Sequence, residues 1–308
     1  MNPSDHRSQL IDSLAQLADR IAAEQVPDSI LRAIIADNPW FTPYYIERSL
    51  QAIATWLKPD LVRDWLQSYD VPPDQPPHTI AIIAAGNVPF VGFHDVLMSL
   101  LSGNLAVCKP SRQDRVGIQW LRQQWLEILP SLENFFHLTD QLPQGDFLIA
   151  TGSNNTARYF QSTYADSPKI IRKNRYSLAV VGPETSEEDL LKLREDVLLY
   201  NGLGCRNVSN LVIRPGFELK KWRKLLNSYP QNLTNPLYLE RVLHLTAQHK
   251  FLQTNAIETD YLHLIPSERI GSIAMGNLRM ISIKRNQPLE EVPGFERNEI
   301  QCIVGQET

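Results

Sequence analysis

The chain has 308 residues, 43% hydrophobic and 21% charged, with a formal net charge of -4. That composition is globular, and the length allows two domains and a sizeable core. It argues against nucleic-acid binding, because no long basic run or aromatic-interleaved basic patch is present.

In chain order, residues 8–23 place Leu10, Ile11, Leu14, Leu17 and Ile21 at helical spacing. Pro27-Asp28 starts a second helix, residues 40–57 form a third and residues 60–69 a fourth. Pro72, Pro73, Pro76 and Pro77 then exclude helix and central strand, which sets a boundary before an α/β core. Beyond it, short apolar runs suited to buried parallel strands alternate with helices. Strands are predicted at 79–85, 104–108, 146–150 and 178–181, and helices at 90–101, 116–128 and 154–164. This repeated strand, loop and helix predicts a doubly wound sheet. A second unit begins near Glu187, with helices at 187–200, 218–229 and 237–252 and strands at 210–213, 261–265 and 280–283.

Ligands of such sheets sit at the C-terminal ends of the strands. Three loops qualify: Gly86-Asn87-Val88-Pro89, Lys109-Pro110-Ser111, and Thr151-Gly152-Ser153 before a helix. Asn87 is either a turn residue or an amide aimed at a substrate carbonyl. Lys109 is either a solvated lysine or a point charge for ribose or phosphate. Ser153 is either a plain N-cap or part of a phosphate-binding helix start. Arg172-Lys173-Asn174-Arg175 is either a solvated loop or a phosphate contact. His94-Asp95 lies on one helix, where adjacent positions do not face each other, so His94 reads as a packed, hydrogen-bonded histidine rather than part of a relay.

The three cysteines, Cys108, Cys205 and Cys302, are too sparse for a disulfide framework or a zinc site, which suggests reduced, cytoplasmic thiols. No secretory leader is read at the polar start, and no run approaches the ~18 apolar residues of a membrane span. Cys205 differs from the other two in lying just after Gly202 and Gly204 and before Arg206. Glycines permit close backbone approach to a nucleophile, and a neighbouring cation favours the thiolate.

Five stretches together resemble the LuxC-type acyl-CoA reductase family of the aldehyde dehydrogenase superfamily. They are residues 85–96 around GNVPFVGFHD, 101–112 around SGNLAVCKPS, 150–161 around TGSNNTARYF, 169–176 around IIRKNR, and 202–211 around LGCRNVSN. The helical start, including Trp40-Phe41-Thr42-Pro43, resembles the family too, whereas the likeness fades after about residue 230. The resemblance implies an α/β, aldehyde-dehydrogenase-like fold. A helical N-terminal segment (1–70) would precede a Rossmann-type dinucleotide-binding domain (71–184) and an α/β catalytic domain (185–308). Relatives run on past Gln301-Cys302-Ile303-Val304, so the catalytic domain is expected to be C-terminally shortened.

The resemblance also implies roles. Cys205 is the nucleophile that accepts the acyl group, and Asn87 binds the oxyanion. Lys109 and the adjacent Ser111 meet the adenosine ribose, Gly152 and Ser153 lie near the pyrophosphate, and Glu268 holds the nicotinamide ribose. The implied reaction is reduction of a fatty acyl thioester of CoA or of an acyl carrier to the aldehyde by NADPH, with NADH left open. Hydrolytic aldehyde dehydrogenases carry a Glu-Leu-Gly-Gly segment whose Glu activates water. The comparable stretch here, Arg172 to Ser177, has no carboxylate, which disfavours oxidation to the acid. Two other readings are an oxidative aldehyde dehydrogenase and a scaffold protein that has lost turnover. A homo-oligomer or an acyl-transfer partner is compatible with any of these.

Overall fold

The structure, a computed structural model, describes residues 3–23, 25–69, 76–230 and 233–305. The chain forms two compact units that divide between Lys173 and Asn174.

The first unit opens with α1 (Pro3–Ala23), α2 (Asp28–Asp37), α3 (Pro43–Trp56) and α4 (Pro59–Gln67). The starts of α3 and α4 follow from sequence. Proline stands at the first helical position of both, and the Thr42 hydroxyl accepts the Tyr45 N–H at 3.2 Å. There follow β1 (Thr79–Ile83), α5 (Phe93–Leu101), β2 (Leu105–Lys109), α6 (Arg115–Ile128), β3 (Phe136–Leu138), β4 (Phe147–Thr151), α7 (Asn154–Thr163) and β5 (Lys169–Arg172). The five strands form a parallel sheet in the order β3-β2-β1-β4-β5. Alternation along β1 sends Ile80 and Ile82 into one core with the helices, and Ala81 and Ile83 into another with Phe160 of α7 and Tyr164 just after it.

The N-terminal helices do not stand apart, as the proline run suggests. Leu10, Leu14 and Leu17 of α1 share a core with Phe93 of α5 and Trp125 of α6, and Trp125 Nε1 donates to Ser13 Oγ at 2.8 Å. Pro72 and Pro73 lie outside the described residues.

The second unit comprises β6 (Tyr176–Val181), α8 (Glu187–Leu198), β7 (Val208–Ile213), α9 (Leu219–Asn227), α10 (Pro236–Phe251), β8 (Ile257–Glu258), β9 (His263–Ser267), β10 (Asn277–Ser282) and β11 (Ile300–Gly305). Its sheet runs β11-β6-β7-β10-β9-β8, parallel except for the β8/β9 pair. Ala179 and Val181 of β6 pack towards Leu190, Leu193 and Trp222, while Leu178 and Val180 pack with Val212 and Ile281 on the other face.

Two expectations change. The strand predicted at 178–181 belongs to the second sheet, not the first, so the units part at Lys173/Asn174 where the sequence sets 184/185. The last strand of the first sheet is instead β5, whose Lys169-Ile170-Ile171-Arg172 carries only two apolar residues between charges. Among the described residues, no helix is long and apolar enough to cross a membrane, and no group of three His, Cys, Asp or Glu could hold a metal ion.

Candidate functional site

In the first sheet the chain builds outward from β1 through β2 to β3, then returns to place β4 on the other side of β1. Such a reversal opens a crevice at the carboxyl ends of the two central strands. The register aligns those ends: Ile83 of β1 faces Lys109 of β2 on one side and Ala150 of β4 on the other. The loops carrying Asn87, Lys109 with Ser111, and Gly152 with Ser153 therefore leave the same edge of one sheet.

The Asn87 loop is held by backbone pairing with β2 and by two residues not singled out from sequence, Asn38 and Asp114. The Ala84 N–H donates to Lys109 O at 3.1 Å, and buried Asn38 donates from Nδ2 to Gly86 O at 3.1 Å. Phe90 adopts φ 58°, a left-handed conformation rare for a bulky side chain. Asp114 Oδ1 accepts its N–H at 3.1 Å. Burial raises the Asp114 carboxyl well above the ordinary range, against the lowering effect of the Phe90 and Val91 amides. Asn38 and Asp114 act on backbone far from them in sequence, so no local pattern exposes them.

Gly86 packs directly on Ser111. A Cβ at position 86 would lie 2.5 Å from Ser111 Cβ. Gly86→Ala is thus expected to destabilise the fold by about 1–3 kcal/mol through overpacking. Urea unfolding measures this, and an unchanged midpoint would mean that Ser111 yields freely.

At the β4 end, Ser153 caps α7: its Oγ accepts the Thr156 N–H at 3.2 Å. Gly152 donates its N–H to Arg172 O at 3.2 Å, and a Cβ there would press on Thr156 at 3.0 Å. A side-chain-free residue before a helix N-terminus, beside a strand-order reversal, fits a dinucleotide pyrophosphate.

The basic cluster separates. Lys173, Asn174 and Arg175 are exposed. Arg172 is engaged: its Nη1 lies 2.6 and 2.7 Å from the two carboxylate oxygens of Asp95. Burial raises the Asp95 carboxyl, but the contacts with His94 and Arg172 outweigh it and hold the group below its ordinary value. His94 is not packed, although its ring meets the Asp95 carboxylate as a hydrogen-bonded histidine would. Its side chain is 51% exposed, its Nδ1 lies 3.6 Å from Asp95 Oδ1, and its ring meets Trp56 edge-on.

In the second unit, Cys205 is exposed in the turn between α8 and β7. The backbone before it is left-handed at three successive residues: Tyr200 (φ 53°), Asn201 (φ 57°) and Gly202 (φ 70°). Ser177, fully buried on β6, donates its hydroxyl to Cys205 O at 2.9 Å, and the Cys302 thiol of β11 donates to Ser177 Oγ at 2.9 Å. Asn207 completes the turn by accepting the Gly204 N–H at 2.8 Å. Glu268 is exposed just beyond β9. It borders a cavity of about 430 Å³ at the carboxyl ends of β7, β9 and β10, lined also by Ile213, Pro266, Met280 and Ser282.

A family model described as acyl-CoA reductase (LuxC) matches residues 58–219. No curated protein matches the chain. Solved structures do, at low identity. A lactaldehyde dehydrogenase shares 16% identity with a TM-score of 0.69, over 100% of this chain and 75% of that one. The lactaldehyde dehydrogenase of Escherichia coli gives 16% and 0.66 over the same shares. An aldehyde dehydrogenase from Pseudomonas syringae, solved with NAD+ and octanal, gives 13% and 0.65 over 98% and 76%. The fold is therefore that of the aldehyde dehydrogenases: α/β, with a Rossmann-type unit, a second α/β unit and helices at the N-terminus.

Proposed function

The chain belongs to the acyl-CoA reductase (LuxC) family, and we propose that it reduces a fatty acyl thioester to the aldehyde with Cys205 as nucleophile. The observation that carries this reading is an exposed thiol on a left-handed turn inside the matched segment. The Cys205 thiolate attacks the thioester carbonyl. A new carbon–sulfur bond forms, the bond to the departing thiol breaks, and that thiolate leaves and takes up a proton. Covalent capture divides one difficult displacement into two easier ones.

In this reading, Asn87 supplies the amide that steadies the developing oxyanion. Lys109, Ser111, Gly152, Ser153 and Glu268 hold a nicotinamide dinucleotide, NADPH in preference to NADH. When bound, the nucleotide would supply the hydride that converts the captured acyl group to an aldehyde, with the carbon–sulfur bond breaking and Cys205 released as the thiolate. The stretch from Arg172 to Ser177 offers no carboxylate to activate water. Its Arg172 is paired with Asp95, and the Tyr176 hydroxyl donates to Gly294 O at 3.0 Å. That supports reduction over hydrolysis.

The test is incubation with palmitoyl-CoA without nucleotide, followed by intact-mass analysis and peptide mapping. A single acyl adduct on the Cys205 peptide is expected, and NADPH should discharge it as aldehyde faster than NADH. No adduct across several acyl chain lengths would overturn the enzyme reading. Nucleotide binding without any adduct would indicate a scaffold.

A further inference from the structure

The turn that presents Cys205 is conformationally costly. A left-handed residue with a bulky side chain costs roughly 1–2 kcal/mol, asparagine less, and Tyr200 and Asn201 both adopt that conformation just before Gly202. Strain of this kind persists only where the surroundings over-determine it. Leaving α8 so abruptly also strips its last carbonyls of the amides that would have followed in the helix.

One side chain caps the helix and brackets the strained residues from both sides. Asn207 Nδ2 donates to Asp196 O and to Leu199 O, each at 2.9 Å, which satisfies carbonyls at the end of α8. Its Oδ1 accepts the Gly204 N–H at 2.8 Å, one residue before the nucleophile, and its own N–H donates to Gly204 O at 3.0 Å. A primary amide of this length has two donors and an acceptor on one rigid plane. Aspartate keeps the acceptor and loses both donors, and alanine loses all three contacts.

We propose that Asn207 is a positioning residue for Cys205: its side-chain amide ties the end of α8 to Gly204 and fixes the left-handed turn in the conformation that presents the thiol to an acyl thioester. The proposal rests on Cys205 being the nucleophile. Asn207 acts on the backbone alone and touches no reacting atom. Its effect therefore falls on the rate of capture rather than on substrate binding.

The experiment compares full-length wild type, Asn207→Ala and Asn207→Asp. Single-turnover acylation by palmitoyl-CoA is followed by mass spectrometry over a concentration series, which separates the maximal rate from half-saturation. Alkylation of Cys205 by iodoacetamide is followed against pH by peptide mapping, and thermal unfolding is recorded for each protein. Asn207→Ala is expected to lower the maximal acylation rate by about 10²-fold, the effect of a misplacement near 1 Å, with half-saturation unchanged. Asn207→Asp, which keeps the Gly204 contact, should fall between.

A purely structural role would lower the thermal midpoints and leave the maximal acylation rate of the folded protein alone. That result overturns the proposal. If Asn207→Ala does not fold, Asn207→Asp decides by the same criteria. A wild type that is alkylated but never acylated would refute Cys205 as the acyl nucleophile. The alkylation comparison would then still judge the turn, and equal alkylation in all three proteins would overturn the positioning role.

Discussion

With alanine at position 205 the chain is expected to form no acyl adduct and release no aldehyde, while its thermal midpoint moves by only a few degrees. The three thiols differ in what surrounds them. Cys108 on β2 is fully buried, and burial, with Asp95 and Asp114 nearby, pushes its thiol up to about 12, so it stays protonated and unreactive. The Cys302 thiol is half-buried and donates to Ser177 Oγ. Only Cys205 is exposed. Cys205 is exposed and follows the left-handed residues rather than being one of them, and exposed substitutions that leave such residues in place change stability by less than about 0.5 kcal/mol. Removal of this sulfur should therefore abolish capture without unfolding the protein. Intact-mass analysis after incubation with acyl-CoA measures the first effect and a melting curve the second. Cys108→Ala and Cys302→Ala should both keep the adduct. Persistence of the adduct in Cys205→Ala would move the nucleophile elsewhere.

The parts of this molecule legible in the sequence are those written in local pattern. The apolar run of β1 and the glycines before Cys205 reveal a strand and an unusual turn because each depends on neighbouring residues. Long-range pairing leaves no such trace. β6 reads as a strand, but nothing in Tyr176-Ser-Leu-Ala-Val-Val says that its partners are β7 and β11 rather than the strands before it. β3 and β5 are short, and β5 has only two apolar residues between charges, so each escapes the pattern. The amphipathic stripe of α1 predicts a buried face but not that Trp125 covers it. The polar residues that shape the two candidate loops are hidden for the same reason. Asn38 reaches Gly86, Asp114 reaches Phe90 and Ser177 reaches Cys205, each across a long stretch of chain. His94 shows the limit of a local rule. Neighbours on a helix point apart, yet Asp95, fixed by Arg172 from β5, still comes within 3.6 Å of the His94 ring.

That ion pair gives the second large effect, on stability and its dependence on pH. Arg172→Ala would leave the Asp95 carboxylate, 7% exposed at the side chain, without its principal cation. Breaking a fully buried pair costs about 3–5 kcal/mol. Arg172 is 44% exposed, so water screens part of the loss and roughly 2 kcal/mol is expected at neutral pH. The sign with pH follows from the direction of the shift. In the folded wild type the Asp95 carboxyl sits below its ordinary value of 3.8. Its stabilising contribution is thus fully present above that value and is lost as pH falls through the folded one. In Arg172→Ala, burial is opposed by the half-exposed His94 alone, so the carboxyl rises and the buried charge becomes a penalty at neutral pH. The deficit relative to wild type should therefore be largest near pH 7 and shrink towards about pH 4, as Asp95 takes up a proton in the variant. Urea unfolding at the two pH values measures it, and Asp95→Asn in the Arg172→Ala background should recover part of the loss by removing the stranded charge. An equal deficit at both pH values, with no recovery in the double variant, would show that Arg172 supports β5 and α5 by packing its stem rather than by charge.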